Sequence, residues 1–555
     1  MGSVVSKAQL LYQALTQLHH TYDVLRKRIE TSPGLPVPNP TLPLWTVPPA
    51  SIPPKSDPVD LPEYADVVII GSGITGTSVA YNLLARESGL RIVMLEAREV
   101  CSGATGRNGG HVNPPLYHDH AELKDKFGAE IAKAMIAFRR AHLFEVQRIA
   151  IEEGILQESQ VRETEHLDVF TCPKAFTESK AKLADWRTAM PLESSSFVAY
   201  EREEAIKKYR LSDQAVGCIS NSGGAMHPYR YVTSLLSILL DRHPDSLQIF
   251  TQTPCTAISS GNNADSNSAF TVVTPQGTIH AAHVVHATNG WCSHLLPALR
   301  AKIAPARGAM SAQRPGTSLH RSTLAGARSY VFYRGTAGYD YLTQLPSGGD
   351  SENELMFGGG WAQACDDGLP EIGIADDSVF NHASQSYLAG ALPQYFGLAN
   401  WGGDASAPEA DDEQRSGDEA GHDGVRWHPG RTKAQWSGVL GISADLLPWV
   451  GRVPEKLARR TPPKPQPMHK ARTGTEEGKN EARNAAHLAA PGEWIAAGYS
   501  GEGMVHAWMS GKALAHMILD RDDEIREWFP DVLRVTEQRW KNADFDHLVS
   551  RFISA

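Results

Sequence analysis

Residues 66–96 read DVVIIGSGITGTSVAYNLLARESGLRIVMLE, and no other stretch limits the fold of this chain as severely. An apolar run, Val67 to Ile70, enters Gly71-x-Gly73-x-x-Gly76; a helical pattern leaves it, and a second apolar run, Ile92 to Leu95, ends on Glu96. Each part has a physical task. Gly71 permits a tight turn, Gly73 lets backbone approach a pyrophosphate, Gly76 lets helix and strand pack closely, and the helix N-terminus offers N–H groups to phosphate. Glu96 lies 20 residues after Gly76, where a carboxylate accepts hydrogen bonds from ribose hydroxyls and repels a 2′-phosphate. Glycine-rich turns are common, but strand, helix and acidic strand end together predict a βαβ unit that binds FAD or NAD rather than NADP.

At 555 residues the chain exceeds one hydrophobic core, and roughly 150 residues per domain suggests two to four units. A net charge of −10 gives no general reason to bind nucleic acid. No run of 18 apolar residues occurs, and the N-terminus lacks the order of a secretory signal, so a cytoplasmic protein is expected. Cys101, Cys172, Cys218, Cys255, Cys292 and Cys365 have no metal or disulfide spacing.

Leu11, Leu15, Leu18, Tyr22, Leu25 and Ile29 alternate at steps of four and three, which predicts an amphipathic helix over 7–30. Pro33 to Pro58 then reads as an extended proline-rich strap. Met1-Gly2-Ser3-Val4-Val5-Ser6 matches the N-myristoylation pattern; if it is used, one acyl chain confers weak, reversible membrane association. Residues 119–165 read as helices and 305–361 as shorter β-like runs. An acidic insert, 404–423, and a basic, proline-bearing one, 455–490, lack the apolar residues that offset ordering entropy and are expected to be solvated loops.

Four further constellations follow in order. Ser102 to His111 (SGATGRNGGH) is a loop of small residues that lets backbone pass close to a flat ring. Gly223 to Tyr231 opens a helix with Pro228 at its start. His283 to Trp291 (HVVHATNGW) is a second strand ending in a small-residue turn. After Trp436-Ser437-Gly438, the run Ala497 to Met504 (AGYSGEGM) feeds a glycine loop into a helix, whose positive end suits an electron-rich ring.

Together these motifs resemble the D-amino-acid oxidase-like superfamily of FAD-dependent amine and amino-acid oxidoreductases, in the branch of γ-glutamylputrescine oxidase-like and glycine/sarcosine oxidase-like proteins. The resemblance covers about Ala65 to Leu519. It implies an α/β fold: a glutathione-reductase-type Rossmann FAD-binding domain, and a discontinuous α+β substrate domain with a large antiparallel sheet. The expected segments are 1–63 (helix and strap), 64–118, 223–304 and 436–555 (FAD domain), and 119–222 and 305–435 (substrate domain). By the same resemblance Gly71, Gly73, Ile74, Thr75, Gly76, Glu96 and Ala97 hold the ADP half. Arg107, Asn108, Gly109 and Gly110 lie by the flavin ring, Ala287 and Trp291 match an alanine–glycine turn that is one residue longer here, and Gly501, Glu502, Gly503 and Met504 line the pyrimidine edge. Relatives that attach FAD covalently use a cysteine where Gly438 stands or a histidine where Arg107 stands, so noncovalent FAD is expected; a lysine that assists oxygen reduction aligns with Met356.

The resemblance implies a neutral amine whose C–H next to nitrogen passes a hydride to flavin N5, leaving an imine that hydrolyses, with oxygen or another acceptor taking the electrons. Positioning then does most of the work. Candidate catalytic residues come from the expected roof: Tyr341, with Tyr339 beside it; Trp361; and Arg307, which could clamp a carboxylate. An aromatic strand face and a local ion pair are the competing readings. His111, His227 and His506 sit beside cofactor motifs but read more readily as structural, and no metal spacing occurs. Two other functions stay open: an FAD enzyme acting on an alcohol or larger metabolite, and a flavin-stabilised adaptor.

Overall fold

The apolar run that enters the glycine turn is strand Tyr64–Ile70, in the middle of an eight-stranded sheet. It pairs in parallel with Ile92–Leu95 and Gly277–His286, which pair in parallel with Leu247–Phe250 and Gly492–Ala497. Such apolar strands are covered on both faces. Val67, Ile69 and Met94 enter one core, and Val68, Ile70 and Val93 the other. This computed structural model describes residues 2–52, 61–260, 269–319, 324–335, 338–346, 353–364, 366–404, 425, 427–461 and 488–546.

The helices used below are α1 (Gly2–Glu30), α2 (Ile74–Leu84), α3 (Leu116–Phe127), α4 (Ala129–Glu152), α5 (Pro228–Arg242), α6 (His382–Phe396) and α7 (Ala507–Ile518). The proline expected to open α5 does so, with His227 accepting a bond from the Arg230 N–H at 3.3 Å. α7 packs so closely on α2 that a Cβ on Gly511 would sit 2.7 Å from the Ser78 side chain.

A second, nine-stranded sheet roofs the cofactor side. It is antiparallel except where Arg328–Tyr333 pairs in parallel with Arg162–Phe170. Its two faces differ because side chains alternate along each strand. Leu167, Val169, Tyr330, Phe332 and Leu342 pack against Leu388, Leu392 and Phe396 of α6. Facing the other way are His166, Asp168 and Ser329, joined by hydrogen bonds, and Thr343, whose hydroxyl donates to the Gly109 carbonyl. The segment boundaries expected at 223 and 436 fall inside strands of this sheet, Gly217–Ala225 and Thr432–Ser443; ladder hydrogen bonds carry each strand past the motif that suggested the boundary.

The strap is bound into the molecule. Trp45 is buried and donates to the Asn108 carbonyl, and Thr41 N–H donates to the Asp377 carbonyl at 2.8 Å. The Asp377 carboxylate, fully buried, pairs with Arg98 at 2.9 Å and lies 3.4 Å from Arg107. The acidic run 405–424 and basic run 462–487 lie outside the described residues. The start of the expected basic loop is ordered instead: Arg460 donates to both oxygens of buried Glu493, each at 2.6 Å, and Glu493 accepts from or shares a proton with His286 at 2.8 Å.

Removing one partner of a buried ion pair leaves charge unpaired, which costs roughly 3–5 kcal/mol. Asp377→Ala should lower unfolding free energy by that amount in urea titrations; a loss below about 1 kcal/mol would show that carbonyl acceptors alone support both arginines.

Candidate active site

Strand Tyr64–Ile70 delivers the chain into Gly71, held at φ +107°. A Cβ there would lie 2.7 Å from the Ala287 carbonyl, and one on Gly76 would lie 2.0 Å from the Gly71 carbonyl. Neither position admits a side chain without moving backbone. α2 therefore starts flush against the strand, with Gly73, Ile74 and Thr75 on the wall of a cleft.

Glu96 and Ala97 line the same cleft. The Glu96 carboxylate is fixed by the Ser72 N–H at 3.1 Å, the Ser72 hydroxyl at 2.7 Å and the Arg98 N–H at 3.0 Å. Ala287, Thr288 and Trp291 form another wall, and Gly501, Gly503 and Met504 a third. The longer Ala287–Trp291 turn is tied to the third wall by Asn289, whose side-chain oxygen accepts from the Gly498 N–H at 3.0 Å. Thr288 Oγ1 and Trp291 Nε1 are buried without a protein partner. Buried polar atoms of this kind are ordinarily satisfied, so both fit a polar ligand in the cleft. Gly34, Leu35 and Pro36 of the strap also line it, a contribution that a proline-rich sequence does not announce.

The loop over 102–110 is pinned between cleft and roof. Asn108 lines the cleft, its amide donating to the Thr105 carbonyl at 3.0 Å and accepting from the Gly110 N–H at 2.7 Å. The Gly109 carbonyl accepts from the Thr343 hydroxyl, and a Cβ on Gly109 would lie 2.7 Å from the Tyr341 ring. Gly110 is backed by Trp45, 3.3 Å from where its Cβ would be.

Three sequence-based expectations require correction. The Arg107 side chain is not part of the cleft lining: it donates to the carbonyls of Ser102, Thr41 and Ser437, each at 2.8 Å, and faces Asp377. Burial pulls this group down to about 10, against the attraction of Asp377. Arg307 is no free carboxylate clamp, because Glu371 occupies it at 2.6 and 3.2 Å. Trp361 donates to the Arg307 carbonyl at 3.1 Å and, partly buried, packs against the core cluster that holds Ile372.

Tyr341 lies against the glycine loop. Its ring sits over Gly109, its hydroxyl is 3.2 Å from the Met310 sulfur, and His111 meets it edge-on at 5.6 Å. Tyr339 lies 6.4 Å from Tyr341 and 6.0 Å from Tyr333, which extends an aromatic surface along the roof. The ring nitrogens of His111 are buried beside Tyr341, with the backbone of Tyr330 and Leu342 close to the ring. Sequence reasoning missed the network opposite. Arg139 of α4 pairs with Glu502 and Asp119, and its Nε donates to His506 at 3.0 Å. Burial works to raise the Glu502 carboxyl, but Arg139 and His506 outweigh it and leave the group below its ordinary value. Arg139 lies in a helix without a motif, so no local signal marks it. His227 caps α5 and His506 accepts from Arg139, as befits structural histidines.

Among the described residues no cluster suits a metal ion, and no helix is long and apolar enough to cross a membrane.

Burial holds His111 and His142 near about 3, and His118, His283 and His506 near about 4. In the unfolded chain such groups titrate near about 6.5. Between these values the unfolded state binds more protons, so stability is full above pH 6.5 and falls steadily towards pH 4. Denaturation midpoints measured across that range should decline on the acid side; a flat profile would mean that these rings are protonated in the folded protein.

A family model described as FAD dependent oxidoreductase, DAO, matches residues 66–517. Two curated relatives match over short stretches. Mitochondrial L-2-hydroxyglutarate dehydrogenase of Caenorhabditis elegans is 37% identical over 79 residues, 14% of this chain and 18% of that enzyme. Gamma-glutamylputrescine oxidoreductase of Escherichia coli K12 is 36% identical over 70 residues, 13% of this chain and 16% of that enzyme. The chain thus spans under a fifth of the length of either. In fold, it is similar to glycine oxidase from Geobacillus kaustophilus, with a TM-score of 0.56 and 16% identity, covering 86% of this chain and 99% of the other.

Proposed function

Because this chain belongs to the DAO family of FAD-dependent oxidoreductases, we propose that it oxidises a C–N bond of a small amine or amino acid and passes the electrons to oxygen. FAD, bound noncovalently, supplies the acceptor for a hydride from the carbon next to nitrogen. The chain's own residues bind, orient and exclude water. Gly71, Gly73, Gly76 and Glu96 hold the ADP half; Asn108, Trp291 and the Gly501–Met504 backbone hold the other. Gly438 and Arg107, at the two attachment positions of covalent relatives, carry no nucleophile, and the Arg107 side chain is fully engaged.

One observation carries the reading: the Tyr341 ring stands over the Gly109 backbone, Tyr339 and Tyr333 continue an aromatic surface away from it, and the His111 ring meets its edge. Such a wall packs a small carbon skeleton. A neutral imidazole can accept a hydrogen bond from the substrate nitrogen and orient it. Among the described residues the Tyr341 hydroxyl has a thioether partner, the Met310 sulfur at 3.2 Å, a weak acceptor that a substrate group would outcompete. Oxidation of an alcohol carbon is the second reading, favoured by the match to a 2-hydroxy acid dehydrogenase.

Anaerobic mixing with panels of amines, amino acids and 2-hydroxy acids should bleach the flavin band with the first two. Bleaching by hydroxy acids alone would transfer the reading to C–O oxidation. Tyr341→Phe should lower kcat/KM about 3- to 10-fold, the worth of one hydrogen bond, with the flavin spectrum kept. Heat precipitation should release the yellow colour into the supernatant; colour retained in the pellet would reveal a covalent bond.

A further inference from the structure

The strap is held at both ends. Before it, Leu25 and Ile29 of α1 are buried in one cluster with Leu296 and Leu299, and the Ile29 carbonyl accepts from the Ala301 N–H at 3.0 Å. After it, the Thr41 N–H donates to the Asp377 carbonyl and the Trp45 indole to that of Asn108. Between these anchors the chain is tied to two walls of the cofactor cleft. Ser32 Oγ shares a hydrogen bond at 3.0 Å with Nδ1 of His294, which follows Trp291, and the Val37 carbonyl accepts at 3.3 Å from Nη1 of Arg98, just past Glu96. Gly34, Leu35 and Pro36 span the interval and line the cleft, as does His294.

The order of the walls says which end of the cleft this is. The Gly71–Gly76 turn takes a pyrophosphate and Glu96 the adjoining ribose. Outward from the Glu96 strand the sheet continues to Leu247–Phe250. The segment after that strand, tied to the Glu96 carbonyl by the Thr253 N–H at 2.8 Å, brings Pro254 and Cys255 to the cleft. They stand on the side of Glu96 away from Gly71, where the base on that ribose would lie, and the strap, tied to Arg98, meets them there. The surface suits a purine: Leu35, Pro36, Pro254 and Leu295 offer apolar contact to ring faces. Leu35 is 38% exposed, apolar area that a flat ring would cover. Pro33, Pro36, Pro38 and Pro40 fix φ, which lowers the entropy lost when the strap is laid over a ligand.

We infer that Gly34-Leu35-Pro36 closes over the adenine of FAD, so that this chain retains a noncovalent cofactor with a clasp lying outside the matched family region, residues 66–517. The C-terminal half of α1 is then the anchor of that clasp. The inference rests on FAD as the cofactor and is independent of the substrate oxidised.

Release of FAD from the loaded full-length protein, followed by the rise of flavin fluorescence on dilution, tests the inference. Leu35→Asp should speed release about 10-fold or more, the worth of one buried leucine. Ser32→Ala, which unties the strap from His294 without adding a charge, should speed it about 3- to 10-fold, the worth of one hydrogen bond. The visible spectrum of the bound flavin should stay that of the unaltered protein, because the flavin ring lies at the other end of the cleft. In the flavin-depleted full chain ADP should compete with FAD, and Leu35→Asp should weaken ADP and FAD by the same factor. Release as slow in both variants as in the unaltered protein overturns the inference, as does ADP that fails to compete or binds the Leu35→Asp and unaltered chains equally well. So does a flavin spectrum shifted in both variants, since the strap would then act on the flavin ring. A chain that takes up no FAD removes the cofactor reading, and the inference with it.

Discussion

The buried carboxylate of Asp377, between the guanidiniums of Arg98 and Arg107, holds the cofactor side of this protein in register. Charges taken from water cost several kcal/mol each unless they are paired and hydrogen-bonded, and here the partners come from distant stretches. Arg98 follows the acidic end of the second strand, Arg107 sits in the glycine-rich loop, and Thr41 of the strap accepts from Arg107 through its carbonyl and donates to Asp377. Ser437 of the roof supplies another carbonyl to Arg107. The loop over 102–110 is thus set from behind by ionic contacts, which leaves Asn108 on the cleft and the Gly109 backbone under Tyr341.

The roof works because its two faces obey different demands. Leu167, Tyr330, Phe332 and Leu342 bury one face against α6, and that apolar packing fixes the strand register. A strand slipped by one residue would turn them outward. With register fixed, Tyr341 and Thr343 must point at the glycine loop. Tyr341 serves as a wall because Gly109 and Gly358 have no side chains to push it away: a Cβ on Gly358 would lie 2.4 Å from its ring.

Expectation and structure agree where the constraint is local. Gly71 and Gly76 are demanded by carbonyls 2.7 and 2.0 Å from where a Cβ would stand. Pro228 opens α5, and Glu96 closes its strand, for reasons contained within a few residues. The misses share another cause. Arg307 has the chemistry of a carboxylate clamp, but Glu371, 64 residues away, already fills its fork. Trp361 follows three glycines as a substrate contact might, yet its indole donates to the Arg307 carbonyl and packs against a core cluster. The strap looked like a connector, although Gly34, Leu35 and Pro36 complete the cleft.

The sequence by itself determined the cofactor fold and the family, because a dinucleotide turn needs particular residues at particular spacings and nothing distant can supply them. It also determined the seam of α1, a periodic property of one helix. Only the tertiary structure decided which charged side chains are already spoken for and which polar atoms are left facing the cleft. Arg139 meets Glu502 across 363 residues, and Thr288 and Trp291 keep buried polar atoms that the protein leaves without a partner. Pairing of buried charge is settled by distance in space, and chain position carries no record of it until the fold has brought the partners together.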